Sequence, residues 1–201
     1  MTTGRLVVAM TGASGAIYAV RFLRLAARTY ERIYVMASDQ ALQVVATEMD
    51  LPVTPQTLNA ETLLGEPFDN IEFLDKKDYF TPPASGSFRH DGMVIVPCSM
   101  GTAGRIANGI SDDLVTRAAD VCLKERRKLI LVVRETPWNV IHLRNLTQLA
   151  EAGATVLPAA PGFYHKPKTI EDLADFVVAR IMQQLGIDQE VLPEWQFTQT
   201  D

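Results

Sequence analysis

Six short runs of almost uninterrupted apolar residues recur along this chain of 201 residues and alternate with longer segments of helical periodicity. A strand that is apolar on both faces is typical of a parallel sheet covered by helices on both sides. The pattern therefore predicts an α/β fold: a doubly wound, mostly parallel, Rossmann-like (flavodoxin-like) sheet in a single domain. The predicted strands are Leu6–Met10, Ile33–Ala37, Ile71–Leu74, Met93–Pro97, Leu129–Val133 and Thr155–Leu157.

Capping residues give approximate helix limits. The first helix is expected from about Ser14 to Arg28, and Asp112 is expected to cap a later helix. Thr136 followed by Pro137 predicts another helix start. The spacing of Thr169 and Asp172 is that of a capping box, which opens a last helix to about Leu185. These limits predict one domain over 1–185 and a C-terminal tail over 186–201.

Composition excludes several classes of protein. With 19 basic and 24 acidic residues the formal net charge is −5, which argues against binding nucleic acid through its phosphates. No apolar run is long enough to span a membrane. Cys98 and Cys122 are too far apart for a metal-type pair, and the three histidines are scattered, so no metal site is predicted. The low cysteine content favours a reducing, cytoplasmic location.

Small and hydroxyl residues follow several predicted strands at the edge of the sheet where ligands bind in this fold class. Two turns, 11–15 and 98–102, have residues suited to close approach of a phosphate to helix N-termini, as in a nucleotide or FMN. Ordinary strand-to-helix turns with capping residues explain either turn equally well. The first turn lacks G-x-G-x-x-G, which argues against a dinucleotide enzyme. Tyr164 and Lys168 match Y-x-x-x-K, but Pro167 between them disfavours the shared helix turn of short-chain dehydrogenases.

Three charged residues stand out. Arg180 falls within the predicted apolar stripe of the last helix, where a buried charge needs an anionic partner. Arg134 and Glu135 directly follow the fifth predicted strand. At such a strand end an arginine can hold a phosphate and a carboxylate can transfer protons. Structural ion pairs, or an arginine that reaches solvent, remain alternatives. The connection 75–91 has no strand or helix pattern, which in a compact domain indicates a functional or mobile loop.

Several segments together resemble the UbiX-type flavin prenyltransferases, historically called aromatic acid decarboxylases. The resemblance extends from near the N-terminus into the last helix, and PPASGS with GFYH is its most specific part. The matching segments are TGASGAIY (11–18), SDQA (38–41), ATE (46–48), PPASGS (82–87), PCSMGT (97–102), TRAADVCLKERR (116–127), RETP (134–137), PAAPGFYHKP (158–167) and VVARI (177–181).

The resemblance implies a metal-independent enzyme that joins the dimethylallyl group of dimethylallyl phosphate to reduced FMN. Its product, prenylated FMN, would serve a separate UbiD-type decarboxylase, with a link to ubiquinone biosynthesis. It also implies a homo-oligomer, typically a dodecamer, with no nucleic-acid or membrane partner. We further expect its active sites to be completed by neighbouring subunits.

The resemblance also implies roles for individual residues. The FMN-contacting positions are Gly12, Ala13, Ser14, Ser38, Cys98, Ser99, Met100, Gly101 and Arg134. The prenyl-phosphate pocket would comprise Lys124, Arg134, Glu135, Tyr164 and Arg180, with Trp195 closing the site and Tyr79 standing where some relatives have tryptophan. The expected catalytic residues are Glu135, Glu48, Tyr164, Lys124 and Ser14.

Two alternatives remain open at this stage. A flavin-dependent decarboxylase of the cysteine type would carry a P-x-M-N motif, whereas this chain has Pro137-Trp138-Asn139-Val140. A non-catalytic subunit that delivers FMN would not need Lys124, Glu135, Tyr164 and Arg180 together.

Overall fold

Six parallel strands form one sheet in the computed structural model, which describes residues 4–192. The sheet order is β3-β2-β1-β4-β5-β6, and helices cover both faces, which confirms the predicted fold class. The strands are β1 (Arg5–Met10), β2 (Arg32–Ala37), β3 (Ile71–Leu74), β4 (Met93–Cys98), β5 (Leu129–Val133) and β6 (Thr155–Pro158). The helices are α1 (Ala16–Ala26), α2 (Asp39–Met49), α3 (Ala60–Leu64), α4 (Met100–Ala107), α5 (Leu114–Lys124), α6 (Val140–Glu151) and α7 (Ile170–Leu185).

The strand order reverses beside β1. The chain moves from β1 outward to β2 and β3, then returns to pair β4 with the other side of β1. At such a reversal the connections leave the carboxyl ends of neighbouring strands on opposite faces, which opens a crevice for ligands. The turns after β1 and β4 lie at this point.

Two hydrophobic clusters fix the helices to the sheet, one on each face. Alternate side chains of β1 divide between them: Leu6 and Val8 join the cluster of α1, α2 and α7, whereas Val7 and Ala9 join that of α4, α5 and α6. All four side chains are completely buried. The near-continuous apolar character of the central strands follows from this burial on both faces.

Two helix starts differ from the sequence prediction. Both aspartates pair with Arg105, but Asp113, not Asp112, caps α5, because its Oδ1 accepts the N–H of Thr116 at 2.8 Å. The prediction of a helix starting at Thr136-Pro137 is also wrong, because α6 begins three residues later behind the Asn139 cap.

Other limits agree more closely. The capping box of Thr169 and Asp172 is confirmed, and α7 ends at Leu185 as predicted. The first helix is shorter than expected, because Gly15, with φ +108°, breaks the helical backbone before Ala16. The division at 185 into a domain and a functional tail stays a prediction.

The connection 75–91 contains only a short 3-10 turn, Pro82–Ala84. It is nevertheless held to α5. The N–H of Leu114 donates to the carbonyl of Lys76 at 2.7 Å, and Nε of Arg117 donates to the carbonyl of Ala84 at 3.1 Å.

Candidate active site

Thr11 joins the two turns that the sequence singles out. Its hydroxyl donates to the carbonyl of Pro97 at 2.9 Å and accepts the N–H of Ser99 at 2.8 Å. Thr11 is 2% exposed, so both bonds are shielded from water. The turn after β1 and the turn after β4 are therefore locked side by side. Sequence reasoning placed Thr11 in the turn but gave it no role of its own.

Two predicted FMN contacts, Ser38 and Ser99, are helix caps. The Ser38 hydroxyl accepts the N–H of Ala41 at 3.1 Å, and the Ser99 hydroxyl accepts the N–H of Thr102 at 3.2 Å. These bonds start α2 and α4 at the crevice. The first N–H groups of a helix have no acceptor within it, and the helix dipole favours negative charge there. Met100 and Gly101 provide such groups in α4.

Gly12 is required by packing as well as by any ligand. A Cβ atom at this position would lie 2.5 Å from Cβ of Gln40 in α2, which is closer than real side chains approach. Gly12 is exposed while the neighbouring Ala13 is buried. The backbone of this turn is therefore open on its outer side.

Glu48 occupies the N-terminus of α1. Its Oε2 accepts the N–H of Gly15 at 2.9 Å and that of Ala16 at 2.8 Å. Gly15, the cap residue of this helix, has no side chain that could do so. Glu48 is distant in sequence, at the end of α2, so its carboxylate joins the two helices beside the crevice.

The pKa of the Glu48 carboxyl lies below its ordinary value. Partial burial acts to raise this pKa, but hydrogen bonds from the Ser14 side chain and from the N–H groups of Ala16 and Gly15 outweigh it, with a further contribution from the charge of Arg134. Glu48 is consequently a carboxylate at neutral pH. Ser14, Glu48 and Arg134, each predicted from sequence, are thus brought together.

Tyr18 is a member of this group that sequence reasoning missed. Burial raises the pKa of its hydroxyl, which Arg134 lowers and Glu48 raises, so both charges act on the phenol. A cavity of about 420 Å³ is lined by Tyr18, Ser14 and Glu48 together with residues of α7. Nothing in the segment TGASGAIY distinguishes Tyr18 from an ordinary core aromatic of α1.

The turn after β5 carries Arg134 and Glu135. The N–H of Arg134 donates to the carbonyl of Cys98 at 3.1 Å, which places this turn beside that of β4. Arg134 is exposed and Glu135 is half-buried. A carboxylate oxygen of Glu135 accepts the N–H of Thr136 at 3.0 Å, and its carbonyl accepts the indole N–H of Trp138 at 2.8 Å.

Cys98 lies between these turns but has a neutral thiol. Complete burial raises the pKa of Cys98 to about 12, against smaller opposing effects of the Ala103 N–H and Arg105. A thiol in this state is a poor nucleophile. Cys98 therefore contributes its backbone carbonyl, which accepts the N–H of Arg134, and a small side chain that packs in the core.

Tyr164 and Arg180 form a second group around Phe176. The rings of Tyr164 and Phe176 meet edge to face with centroids 5.8 Å apart. Arg180 follows Phe176 by one helical turn, and both line a cavity of about 330 Å³ beside β6. The prediction that Arg180 is buried is wrong: it lies on the exposed side of α7, where Nη1 donates to Oε1 of Gln183 at 2.6 Å. Its neighbours Val178, Ala179 and Ile181 face the core instead.

One predicted site residue, Lys124, is not brought to this edge within the described part of one chain. Lys124 ends α5 shortly before β5 begins, at the amino-terminal edge of the sheet, and its Nζ lies 2.5 Å from Oε1 of Glu125. Tyr79 is 42% exposed in the connection 75–91, with its hydroxyl 3.4 Å from the carbonyl of Ser111. Trp195 lies outside the described residues.

Two further findings concern residues 4–192 alone. Within that range no group of three or more His, Cys, Asp or Glu side chains is arranged to hold a metal ion. No helix in the same range has the length and apolar character needed to cross a membrane.

Comparison with known proteins identifies the family. The model of the Flavoprotein family matches residues 1–182. A flavin prenyltransferase UbiX of Pseudomonas aeruginosa is 48% identical over 195 residues, covering 95% of this chain and 93% of the relative. That of Thermoplasma acidophilum is 46% identical over 199 residues, covering 95% and 99%. The chain belongs to the UbiX flavin prenyltransferase family.

Solved structures of this family share the fold over almost the whole chain. AnUbiX in complex with FMN and dimethylallyl pyrophosphate has a TM-score of 0.83 at 39% identity, covering 96% of this chain and 97% of that one. A dodecameric FMN-dependent UbiX-like decarboxylase from Escherichia coli O157:H7 has a TM-score of 0.84 at 36% identity, covering 96% and 100%.

The cysteine-type decarboxylases are more distant. The FMN-dependent cysteine decarboxylase TvaF is 19% identical with a TM-score of 0.58, and covers 90% of this chain and 98% of its own. Similarity at this level shows a common fold alone. The family of this chain is therefore set by its UbiX relatives.

Proposed function

We propose that this chain transfers the dimethylallyl group of dimethylallyl phosphate to reduced FMN and so makes prenylated FMN. The observation that carries the proposal is the convergence of Ser14, Glu48 and Arg134 on the crevice between β1 and β4. Membership of the UbiX family, and a relative solved with FMN and dimethylallyl pyrophosphate, support the same reaction.

The turns at the crevice fit FMN. The exposed backbone of Gly12 and the first N–H groups of α4, those of Met100 and Gly101, offer donors to a phosphate or to the polar edge of a flavin. Ser14, Ser38 and the Arg134 guanidinium add polar groups, while the small residues Ala13 and Cys98 are buried beneath the turns. When bound, reduced FMN supplies the electron-rich nitrogen and carbon that are alkylated.

The basic residues account for departure of the phosphate. Positive charge aimed at a leaving group stabilises the negative charge that develops on it in the transition state. Arg134 beside the crevice and Arg180 with the Tyr164 hydroxyl beside Phe176 are the groups we assign to this role. The exposure of Arg180 within one chain leaves its guanidinium accessible to a phosphate.

Proton transfer is assigned to Ser14, Glu48 and Glu135. Glu48 is ionised at neutral pH, so it accepts a proton more readily than it donates one. Its hydrogen bond with Ser14 gives a proton a path between the carboxylate and the crevice. Glu135, half-buried at the end of β5, is the second carboxylate of the site.

The location of Lys124 supports a site shared between subunits. If Lys124 acts on the prenyl phosphate, a neighbouring chain has to supply it, because Lys124 lies at the opposite edge of its own sheet. Exposed apolar side chains, which favour association, occur on α6 at Val140, Ile141 and Leu143. We propose a homododecamer, as in the Escherichia coli relative.

We also propose a cytoplasmic location and delivery of the product to a UbiD-type decarboxylase. Cys98 and Cys122 are both free and buried, which is compatible with a reducing compartment. A modified flavin has no further reaction to undergo at this site, so a separate enzyme must use it.

Mass spectrometry of the flavin tests the reaction. The protein is incubated without oxygen with FMN, a reductant and dimethylallyl phosphate, and the flavin is then extracted. We expect a flavin heavier by one isoprene unit, formed only when all three components are present. Recovery of unmodified FMN would contradict the proposal, and FAD or NAD bound in stoichiometric amount would contradict the assigned cofactor.

A further inference from the structure

Tyr18 has a place in the site that none of the assigned roles explains. It lies in the first turn of α1, directly after the turn that carries Gly12, Ala13 and Ser14. Its ring lies against the Cα atom of Gly15: a Cβ atom there would be 2.7 Å from both Cδ2 and Cε2 of the ring. The aromatic ring therefore occupies the space that a side chain at position 15 would take.

Gly15 is also the residue whose N–H donates to Glu48. The Tyr18 ring covers one side of this peptide, and the Glu48 carboxylate binds its N–H and that of Ala16. Gly15 has φ +108°, in the left-handed region where glycine has the greatest freedom. The Tyr18 ring and the Glu48 carboxylate therefore both contact the Gly15 turn.

The surroundings of Tyr18 point to the reacting groups. Ser14, Glu48 and Tyr18 line one cavity together with Ile170 and Glu171 of α7. Burial dominates the raised pKa of the phenol, and the charges of Arg134 and Glu48 act on it as well. Tyr18 is thus in the neighbourhood of Ser14, Glu48 and Arg134.

We propose that Tyr18 is a positioning residue whose ring holds the Gly15 turn so that Ser14 and Glu48 keep their mutual geometry. This inference rests on the proposed function for its effect on turnover, but not for its effect on Glu48 itself. The ring, rather than the hydroxyl, carries the role, because the close contact with Gly15 is made by ring carbons.

Three substitutions separate this role from a general loss of stability. Tyr18→Phe keeps the ring, and Tyr18→Leu removes it while keeping an apolar side chain. Tyr30→Leu is the matched control, because Tyr30 packs on the same hydrophobic cluster and lies after the other end of α1. Tyr18→Met, with an unbranched side chain that adapts to its space, replaces Tyr18→Leu if that variant does not fold.

The first measurement is the titration of Glu48, followed by carbon-13 NMR of labelled glutamate and assigned with Glu48→Gln. The charged groups around Glu48 are Arg134, from the turn after β5, and Glu171, across the cavity on α7; Tyr18 is the neighbouring titratable group of α1. Tyr18→Leu leaves both of these charged groups in place.

We expect Tyr18→Leu to move the Glu48 titration upward, toward that of a solvated glutamate, and to lower kcat about ten- to hundredfold. Tyr18→Phe and Tyr30→Leu should change neither. An unchanged Glu48 titration in Tyr18→Leu, or an equal shift in Tyr30→Leu, would overturn the inference. If the titration moves as expected but wild type does not prenylate FMN, the proposed function fails and the positioning of Glu48 by Tyr18 stands.

Discussion

Glu48 caps the helix that begins at Ala16, with 2.8 Å between its Oε2 and the Ala16 backbone nitrogen. The two residues are 32 positions apart, and the bond joins the start of α1 to the end of α2. A negative charge at a helix N-terminus is stabilised by the N–H groups and by the helix dipole. The same carboxylate therefore has a structural and a proposed chemical role.

Glu48→Gln should weaken folding in a pH-dependent way. Since the folded pKa of Glu48 is depressed, its stabilising effect is present above the unfolded pKa and is lost as pH falls through the folded pKa. We expect the variant to lower the free energy of unfolding at pH 7 by about 1 kcal/mol, as for loss of a helix cap. Denaturant unfolding at one fixed subunit concentration, at pH 7 and in acid, should show this difference disappearing in acid. A difference that stays constant with pH would exclude the carboxylate as its source.

Gly101→Ala should separate flavin binding from folding. A Cβ atom at Gly101 would meet only the Ser99 hydroxyl, at 4.0 Å, so the chain itself has room for it. We expect thermal stability to be kept or raised, because alanine favours a helix, and affinity for FMN to fall because the methyl group blocks the backbone. Gly104→Ala in the same helix is the control for FMN titration. Unchanged FMN affinity in Gly101→Ala would show that FMN does not approach α4 here.

Arg180→Ala should affect the prenyl donor and not the flavin. Loss of a charge-assisted hydrogen bond costs about 1.5–3 kcal/mol, which is about ten- to hundredfold in affinity. We expect KM for dimethylallyl phosphate to rise accordingly, with partial recovery at excess donor and unchanged FMN binding. Arg144→Ala, at an exposed arginine of α6, is the control. A wild-type KM in Arg180→Ala would remove Arg180 from the site.

Glu135→Gln should differ from Arg180→Ala in kind. The substitution keeps the shape of the side chain but removes its titrating group, so excess donor cannot restore turnover. A loss of about 10²–10⁴ in kcat is expected for a general acid or base. Steady-state titration with dimethylallyl phosphate makes the comparison, and wild-type kcat at saturation would refute the proton-transfer role.

Lys124→Ala and Arg134→Ala should complement each other if sites are shared. Each variant alone is expected to be inactive, because every site lacks one cation. Mixed oligomers obtained by co-expression contain some sites in which Lys124 from one chain and Arg134 from another are both intact. Recovery of part of the activity in purified mixed oligomers supports shared sites. If no activity is recovered, the site is not shared between chains: either one chain supplies both Lys124 and Arg134, or Lys124 does not belong to the site.

Most of the sheet could be predicted because its strands are recognisable as short apolar runs in the sequence. Burial on both faces makes each central strand apolar throughout, and Leu129–Val133 is predicted with its observed limits. The edge strand Ile71–Leu74 is also predicted with its observed limits, although it is only half-buried and contains Glu72. Helix starts were harder where two capping residues stand close together. Asp112 and Asp113 are equivalent in sequence and both pair with Arg105, so only the hydrogen bond from the Thr116 N–H to Asp113 distinguishes the cap.

The site was predictable as far as the turns but not as far as its long-range contacts. Strand ends place Ser14, Ser99 and Arg134 at one edge, whereas the bond from Glu48 to the Gly15 turn depends on how α2 packs beside α1. The prediction for Arg180 is wrong because helical periodicity locates the border of the buried face of α7 only to within about one residue. Arg180 lies next to that border, on the exposed side. Tyr18 gave no signal, since an aromatic residue in an amphipathic helix usually belongs to the core.

Prenyl transfer to FMN can be followed by measuring phosphate release and flavin mass in the same anaerobic reaction. We expect one phosphate released for each prenylated flavin formed, neither product when FMN is oxidised, and both products formed about 10²–10⁴ more slowly when Glu135 is replaced by glutamine. Phosphate release that leaves the flavin mass unchanged would contradict the account.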